Sequence, residues 1–418
     1  MPEEIITGID IGSTAVRIAV GQRVINDNSE QKLNIIGVAE CPSQGISKGV
    51  INSIEDAVSS ISACLEQAER MTGQQVENVW VGISGSHVIS QESKGVIAVS
   101  RSTGEISEDD VERAVEAART VATPLNYEIL HVIPKSFTID GQAGIKDPIG
   151  MSGIRLEVDA QIIQGLSSQI KNLTTSIYRT GLDIEDIVLS ILASSEVALT
   201  PRQKELGVAL VNIGGATTSL VVFEEGDVLH TAVLPIGSDH ITSDIAIGLR
   251  TSIDVAEKVK LEYGSCLPKE ISKREEINLA ELGGEDILVS QKYIAEIIEA
   301  RAEEIFEKID EELKKIDRSG MLPAGAVMIG GGSKLEGVID LCKKKLRLPA
   351  FLGKPQNLFA AIDKSNDTSF ITALGLVMWG NQIYNRKGTG RLGKFISRFK
   401  SVDEVTNKMR KWFKSLIP

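Results

Sequence analysis

The sequence predicts an α/β protein of two lobes, with a small α+β unit inserted in the first. Three observations lead there. Apolar residues make up 42% of the chain while aromatics make up only 4%, so the cores must rest on Ile, Val, Leu and Ala, which suits sheets sandwiched between helices. A glycine-tipped strand–turn–strand occurs near the start, GIDIGSTAVRIAV (8–20), and again in the middle, VNIGGATTSLVVF (211–223). At 418 residues the chain is long enough for more than one core.

The elements follow in order. IITGIDIGSTAVRIAVG reads as strand, glycine turn and strand, and LNIIGVAECPSQGISKGVI continues in short strands. An amphipathic helix over 53–71 opens on Ser53 as N-cap, and 79–83 is a buried strand. Residues 84–163 change character: strands KGVIAVS and YEILHVIPKSFTIDG flank a helix that Ser107 caps, with acids in its first turn. A helix over 164–180, a strand over 184–190 and an Ala/Ser-rich helix lead to the second glycine hairpin. Beyond it GSDHITSDIAIGL, SIDVAEKVKLEYG and QKYIAEIIEARAEEIFEKIDEELKKI are helical, AGAVMIGGGSKLEGVIDLCKKKL is strand, triple glycine and helix, and SFITALGLVMW is a last buried helix. After Tyr384 the chain turns Gly-rich and basic, the composition of a flexible linker.

The net charge of -12 is unevenly spread. From Arg386 onward ten Lys and Arg face only Asp403 and Glu404, so the body carries -20 and the terminus +8. Only the terminus therefore seeks an anionic surface. The four cysteines lie far apart with no CxxC and no histidine at ligand spacing, so reduced structural thiols are expected. MPEEIITGID is acidic and runs straight into a strand, and no apolar run nears the ~18 residues of a membrane span. A cytoplasmic protein is expected.

The two hairpins carry the chemistry. Each places a polar residue, then glycine, at its tip; two such tips facing each other present backbone N–H groups that cradle phosphates. Asp10 would hold Mg²⁺, through water because that ion keeps several of its waters, while Asn212 offers only a side-chain carbonyl oxygen there. The third glycine loop, 330–333, would border a nucleotide base and ribose. GTGRLGKF (388–395) matches both GxGxxG and the start of GxxxxGK, but no strand precedes it and Phe395 stands where Ser or Thr should bind the metal, so neither match holds. With four histidines no Ser/His/Asp triad is legible.

The terminus VTNKMRKWFKSLIP is the second strong signal. Val405, Met409, Trp412, Phe413 and Leu416 share one helical face, with Lys408, Arg410, Lys411 and Lys414 across and beside it. This is the pattern of a helix lying in the plane of an anionic membrane. A helix docked on the body and a basic nucleic-acid tail are the other readings; the polar linker disfavours the first and the uninterrupted apolar face the second. Each large apolar side chain contributes about 1.5 to 3 kcal/mol when fully buried and each cation about 1 kcal/mol, against roughly 1 to 2 kcal/mol of ordering per residue. One tail binds reversibly, and many tails on a filament bind tightly. As a flexible chain the linker spans roughly 25 Å, beyond the ~8 Å screening length, so the acidic body stays clear of anionic lipid.

On these hairpins, the glycine loop and the tail, with HVIPKSFTIDGQAGIKDPIGMSGIRLEVD (131–159) and ELGVALVNIGGATTSLVVF (205–223), the chain resembles the FtsA family of bacterial cell-division proteins, within the actin, Hsp70 and sugar kinase superfamily. The resemblance covers essentially the whole chain. It implies an actin-like two-lobed ATPase fold of duplicated ribonuclease H-like domains: subdomain IA over 1–83, 164–198 and 357–384; an inserted subdomain IC over 84–163 that mediates filament contacts; IIA over 199–230 and 305–356; IIB over 231–304; a linker over 385–404 and a membrane-targeting helix over 405–418. It further implies ATP with Mg²⁺ between the lobes, self-association into filaments, and tethering of the tubulin-like FtsZ, through its C-terminal peptide, to the inner face of the cell membrane at the division site, with other division proteins as partners.

Residue by residue, the resemblance puts Gly12, Ser13 and Thr14 in the first phosphate loop and Gly214, Gly215 and Thr217 in the second. Glu257 and Lys260 fall where relatives hold ribose and adenine, and Gly331, Gly332 and Ser333 fall in the adenosine loop. Arg301 is the candidate FtsZ contact, with an ordinary solvated helix residue as the bland reading; Lys408, Met409, Lys411, Trp412, Phe413 and Leu416 would meet lipid. Many members have Asp at Asn212, Gly at Ala216, Lys at Ala15 and an acid or amide near Ser190. Each departure removes a charge, backbone freedom or a water-orienting group, so ATP is expected to bind and turn over slowly or not at all. A small-molecule kinase of the superfamily and an adaptor similar to PilM of pilus assembly are the alternatives; the first needs a carboxylate base not legible here, the second lacks the lipid-binding terminus.

Overall fold

The structure, a computed structural model, describes residues 4–25, 31–100, 104–120, 123–356, 358–360 and 363–388. The candidate linker beyond 388, and the whole of 405–418 with Lys408, Met409, Lys411, Trp412, Phe413 and Leu416, lie outside the described residues.

Two sheets repeat one plan. In the first, Glu4–Ile11, Ala15–Ile25 and Gln31–Pro42 form an antiparallel meander, and Asn78–Ile83 then Asp183–Leu189 add in parallel beside Glu4–Ile11. In the second, Val208–Ile213, Thr218–Glu224 and Asp227–Leu234 form the meander, and Ala326–Ile329 then Ala350–Leu352 add in parallel beside Val208–Ile213. The first sheet gains one further short strand, Phe359–Ala360. The α/β class and the two-lobed arrangement expected from the sequence both hold.

Helices cover the sheets because the strands are apolar on both faces. Ile54–Thr72 packs on one face of the first sheet; Ser53 caps it, accepting from the Asp56 backbone N–H, and Gly73 ends it in a left-handed conformation. Ser190–Ala198 and Ile371–Gly388 pack together on the other face. The latter helix lies so close that a Cβ on Gly8 would come 2.4 Å from the Ala373 carbonyl oxygen. In the second lobe Ser238–Leu249, Ile253–Tyr263 and Gln291–Lys315 share a core built on Ile245, Ile298, Ile305 and Phe306.

The insert is a four-stranded sheet, ordered Ile89–Ala98, Arg155–Leu166, Tyr127–Ile139, Gln142–Ile145, with helix Glu108–Arg119 on one face. Ser107 and Asp110 form a reciprocal cap at the helix start.

Three local readings change. The helix expected over 164–180 begins at Ser167, since Arg155–Leu166 is a strand whose ladder runs on through Gln164↔Ile89 and Leu166↔Tyr127. Its buried face is Leu156, Val158, Ala160 and Ile162. The helix expected directly after the triple glycine starts only at Val338, beyond a 3-10 turn over Gly331–Lys334. The last helix runs past Tyr384 to Gly388, since no proline or glycine interrupts the chain between them.

Candidate functional site

Each hairpin tip is closed in the same way. The Gly12 N–H donates to the Ala15 carbonyl at 3.1 Å, and the Gly214 N–H donates to the Thr217 carbonyl at 2.9 Å. The tips face each other: a Cβ on Gly215 would sit 2.5 Å from Thr14 Cγ2 and 2.8 and 2.9 Å from the Asp239 carboxylate oxygens. A side chain there cannot fit without displacing the opposite tip.

Between the tips lies a cleft of about 580 Å³, within the range of small-molecule sites. Asp10, Gly12, Ser13, Thr14, Asn212, Gly214, Gly215, Thr217, Glu257, Lys260, Gly331 and Gly332 all line it. Ser333 does not: it is buried in the 3-10 turn, and its hydroxyl donates to the Gly330 carbonyl at 2.7 Å. Lys334 lines the cleft instead, paired with Asp367 at 2.6 Å.

Burial at the end of the first strand pushes the Asp10 carboxyl up to about 6, against the pull of the Arg17 guanidinium. A cation at this carboxylate would relieve that cost. Ser190 also lines the cleft, and its hydroxyl is buried without a partner. Glycine at 82 leaves room between the two, since a Cβ there would lie 2.8 Å from Ser190 Oγ and 3.6 Å from Asp10 Oδ1. An orphaned hydroxyl beside a carboxylate and two bare-backbone tips form a donor set that fits a triphosphate and a hydrated Mg²⁺. Among the described residues no cluster of three or more His, Cys, Asp or Glu could enclose a metal directly. Asn212 donates its side-chain N–H to Thr372 Oγ1 at 3.4 Å.

At the far wall Lys260 is 7% exposed and held by Glu257 at 2.6 Å. Thr242 Oγ1 bonds both, donating to Glu257 at 2.5 Å and accepting from Lys260 at 2.8 Å. Two residues here were not foreseen. Thr242 is brought in by helix packing, and no sequence signal marks it. Asp239 follows the second tip at the start of a helix, and burial pushes its carboxyl up; an acid in a helix's first turn is the signal that would have found it.

Arg301 lies on Gln291–Lys315, away from the cleft. Its guanidinium grips Asp244 with two bonds, 2.5 and 3.0 Å, and also pairs with Glu304. It thus crosslinks two helices of the second lobe and retains partial exposure, 25% of its side chain.

Two lobes of one plan, joined across a glycine-lined cleft and carrying an inserted sheet, define an actin-like protein. Solved structures with this fold include the PilM–PilN type IV pilus biogenesis complex, at a TM-score of 0.65 and 17% identity over 91% of this chain and 99% of that one. MreB5 of Spiroplasma citri bound to ADP matches at 0.54 and 12% identity over 93% of this chain and 99% of that one. At such identities the likeness is one of fold alone.

The chain belongs to the FtsA family of cell division proteins. The family model for cell division protein FtsA matches 209–375, and the model for the SHS2 domain inserted in FtsA matches 85–164. FtsA of Pseudomonas aeruginosa is 36% identical over 91% of this chain and 90% of its own length. FtsA of Borreliella burgdorferi is 35% identical over 99% of both chains, and that of Bacillus subtilis 38% over 90% of this chain and 83% of its own. Among the described residues no helix is long and apolar enough to cross a membrane.

Proposed function

We propose that this cell division protein binds ATP with Mg²⁺ in the cleft, polymerises, and tethers FtsZ filaments to the inner face of the cell membrane through residues 405–418. The observation that carries the reading is the opposition of the two tips across one cavity, where Gly215 leaves no room for a side chain against Thr14. Gly12, Ser13 and Thr14 would hold one side of the phosphates, and Gly214, Gly215 and Thr217 the other. Glu257 and Lys260 would take the ribose and base, beside Gly331 and Gly332. Asp10 would hold the hydrated metal, with the Asn212 side chain nearby. Bound Mg²⁺ would neutralise phosphate charge.

Slow turnover follows from the same residues. Ser190, where a water-orienting acid or amide would stand, offers one hydroxyl, and Asn212 brings no charge. A phosphate-release rate above about 1 per second would refute this part. The filament contacts would fall on the insert over 84–163, and the FtsZ peptide on the subdomain over 231–304. Arg301 would contribute to the FtsZ-peptide surface by exchanging part of its Asp244 pair for a peptide carboxylate.

Electron microscopy on an anionic lipid monolayer tests the whole: filaments are expected with ATP, and none after deletion of 405–418. Unchanged liposome co-sedimentation after that deletion would count decisively against the tether.

A further inference from the structure

Two of the four free cysteines meet in the first lobe. Cys41 stands on strand Gln31–Pro42, opposite Val16 of the neighbouring strand, and Cys64 stands on helix Ile54–Thr72, which packs over both strands. The Cys64 thiol donates to the Val16 carbonyl at 3.3 Å, and the Cys41 thiol donates to Oε1 of Gln67 on the same helix at 3.2 Å. The two thiols are also within hydrogen-bond reach of each other, and the Cys41 backbone N–H points at the Cys64 sulfur. In the chain they are 23 residues apart, so only the packing of helix on strand brings them together.

Their surroundings differ. Cys64 is fully buried; burial, and after it the neighbouring thiol, push it up to about 12. It therefore meets nothing from solution directly. Cys41 is half-buried, so a small oxidant reaches it first. Cys266 and Cys342 lie fully buried in the core of the second lobe.

We propose that Cys41 and Cys64 form a reversible disulfide, made by a peroxide and undone by a small thiol. The peroxide O–O bond breaks as the Cys41 sulfur takes one oxygen, which leaves a sulfenic acid and one water. The Cys64 sulfur then attacks the Cys41 sulfur. The S–S bond forms, the S–O bond breaks, and the hydroxyl leaves with the Cys64 proton as a second water. The two thiols lose two electrons and the peroxide gains them. Two equivalents of a small thiol restore the pair by exchange.

The pair sits beneath the first hairpin tip. Ser43, two residues from Cys41, donates its N–H to the Thr14 carbonyl at 3.1 Å, and the helix holds Gln44, whose N–H donates to Ser60 Oγ at 3.0 Å. Closing the sulfurs to about 2 Å takes Cys64 off the Val16 carbonyl and draws helix and strand together beside that tip. The oxidised protein therefore cradles its ligand less well. This consequence rests on the reading of the cleft as a nucleotide site, whereas the disulfide itself does not.

The test uses the full chain, reduced and then treated with hydrogen peroxide. Remaining thiols are alkylated after unfolding, and the protein is weighed and digested. The expected result is two alkylations in place of four, a peptide linking Cys41 to Cys64, and four alkylations again after dithiothreitol. Cys64→Ser should halt the reaction at a Cys41 sulfenic acid that dimedone traps, and Cys41→Ser should leave its three thiols open to alkylation. The second variant, at the half-buried site, carries the test should the first fail to fold. A non-hydrolysable ATP analogue is expected to bind the oxidised protein about fivefold less tightly, the worth of one backbone hydrogen bond. Binding to neither form would refute the nucleotide reading and leave the disulfide standing, while equal binding would refute the link to the tip. Four alkylations after peroxide, or Cys41 carried on to the sulfinic acid with no link to Cys64, would overturn the proposal.

Discussion

The hydroxyls of Ser84 and Ser219 meet 3.0 Å apart, one at the end of a first-sheet strand and the other within the second sheet. This bond ties the lobes beside the cleft that both residues line. A neutral hydrogen bond contributes about 1 kcal/mol net, so Ser84→Ala and Ser219→Ala are each expected to weaken nucleotide binding about fivefold. Because both remove the same bond, the double variant should lose little more than either single one. Isothermal titration with a non-hydrolysable ATP analogue reads this; additive losses would show that the two hydroxyls act apart.

Gly215→Ala separates cradle from fold. The added methyl would meet Thr14 Cγ2 at 2.5 Å and the Asp239 carboxylate at 2.8 Å, contacts that arise only where the tips approach. Nucleotide affinity is expected to fall by tenfold or more, while the unfolding midpoint moves by less than a few degrees. Thr14→Ser, which lacks the obstructing methyl, should restore part of the affinity in the double variant.

The hairpins were legible because their chemistry is local: glycine permits the turn, and apolar runs on either side declare the strands. Their facing was an inference from repetition, and the pairing of each tip with the other belongs to tertiary structure. Thr242 illustrates what sequence conceals, since only the packing of Ser238–Leu249 against Ile253–Tyr263 brings it onto Glu257. Ser333 illustrates the reverse case: it follows two glycines that line the cleft, but the 3-10 turn rotates its own hydroxyl inward onto Gly330. Arg155–Leu166 was obscured at its end, where the apolar Ile162–Ile163 pair between glutamines matches a helix onset as well as a strand.

His131 sets a pH dependence of stability. Burial lowers the pKa of this ring, whose Nε2 accepts from the Leu189 N–H, from the ordinary 6.5 to about 4. Between those values the unfolded chain binds a proton that the folded protein refuses, so stability falls as pH drops from 6.5 to 4 and the loss is complete below 4. The shift corresponds to about 3 kcal/mol at most. His131→Gln keeps an acceptor for Leu189 and cannot titrate. Urea denaturation at pH 7 and pH 4.5 should therefore show a smaller pH-dependent loss in the variant than in the parent protein; equal losses would place the acid sensitivity elsewhere.

Glu257 and Lys260 are partners of unequal exposure, 41% and 8% of their side chains. Removing one member of a pair costs most when the member left behind is the buried one. Glu257→Gln leaves the Lys260 ammonium with Thr242 Oγ1 at 2.8 Å and the Ser238 carbonyl at 3.5 Å, a buried charge stripped of its paired carboxylate and left with only the more distant pull of Asp239. Lys260→Met leaves a carboxylate that water reaches. The first variant is thus expected to be the less stable by about 1 to 2 kcal/mol, measured by urea denaturation without nucleotide, and the double variant should recover most of the difference. Nucleotide affinity should fall in all three, because the cleft loses a polar wall residue in each. Equal stability of the two single variants would mean that solvent reaches Lys260 far more readily than its 7% exposure implies.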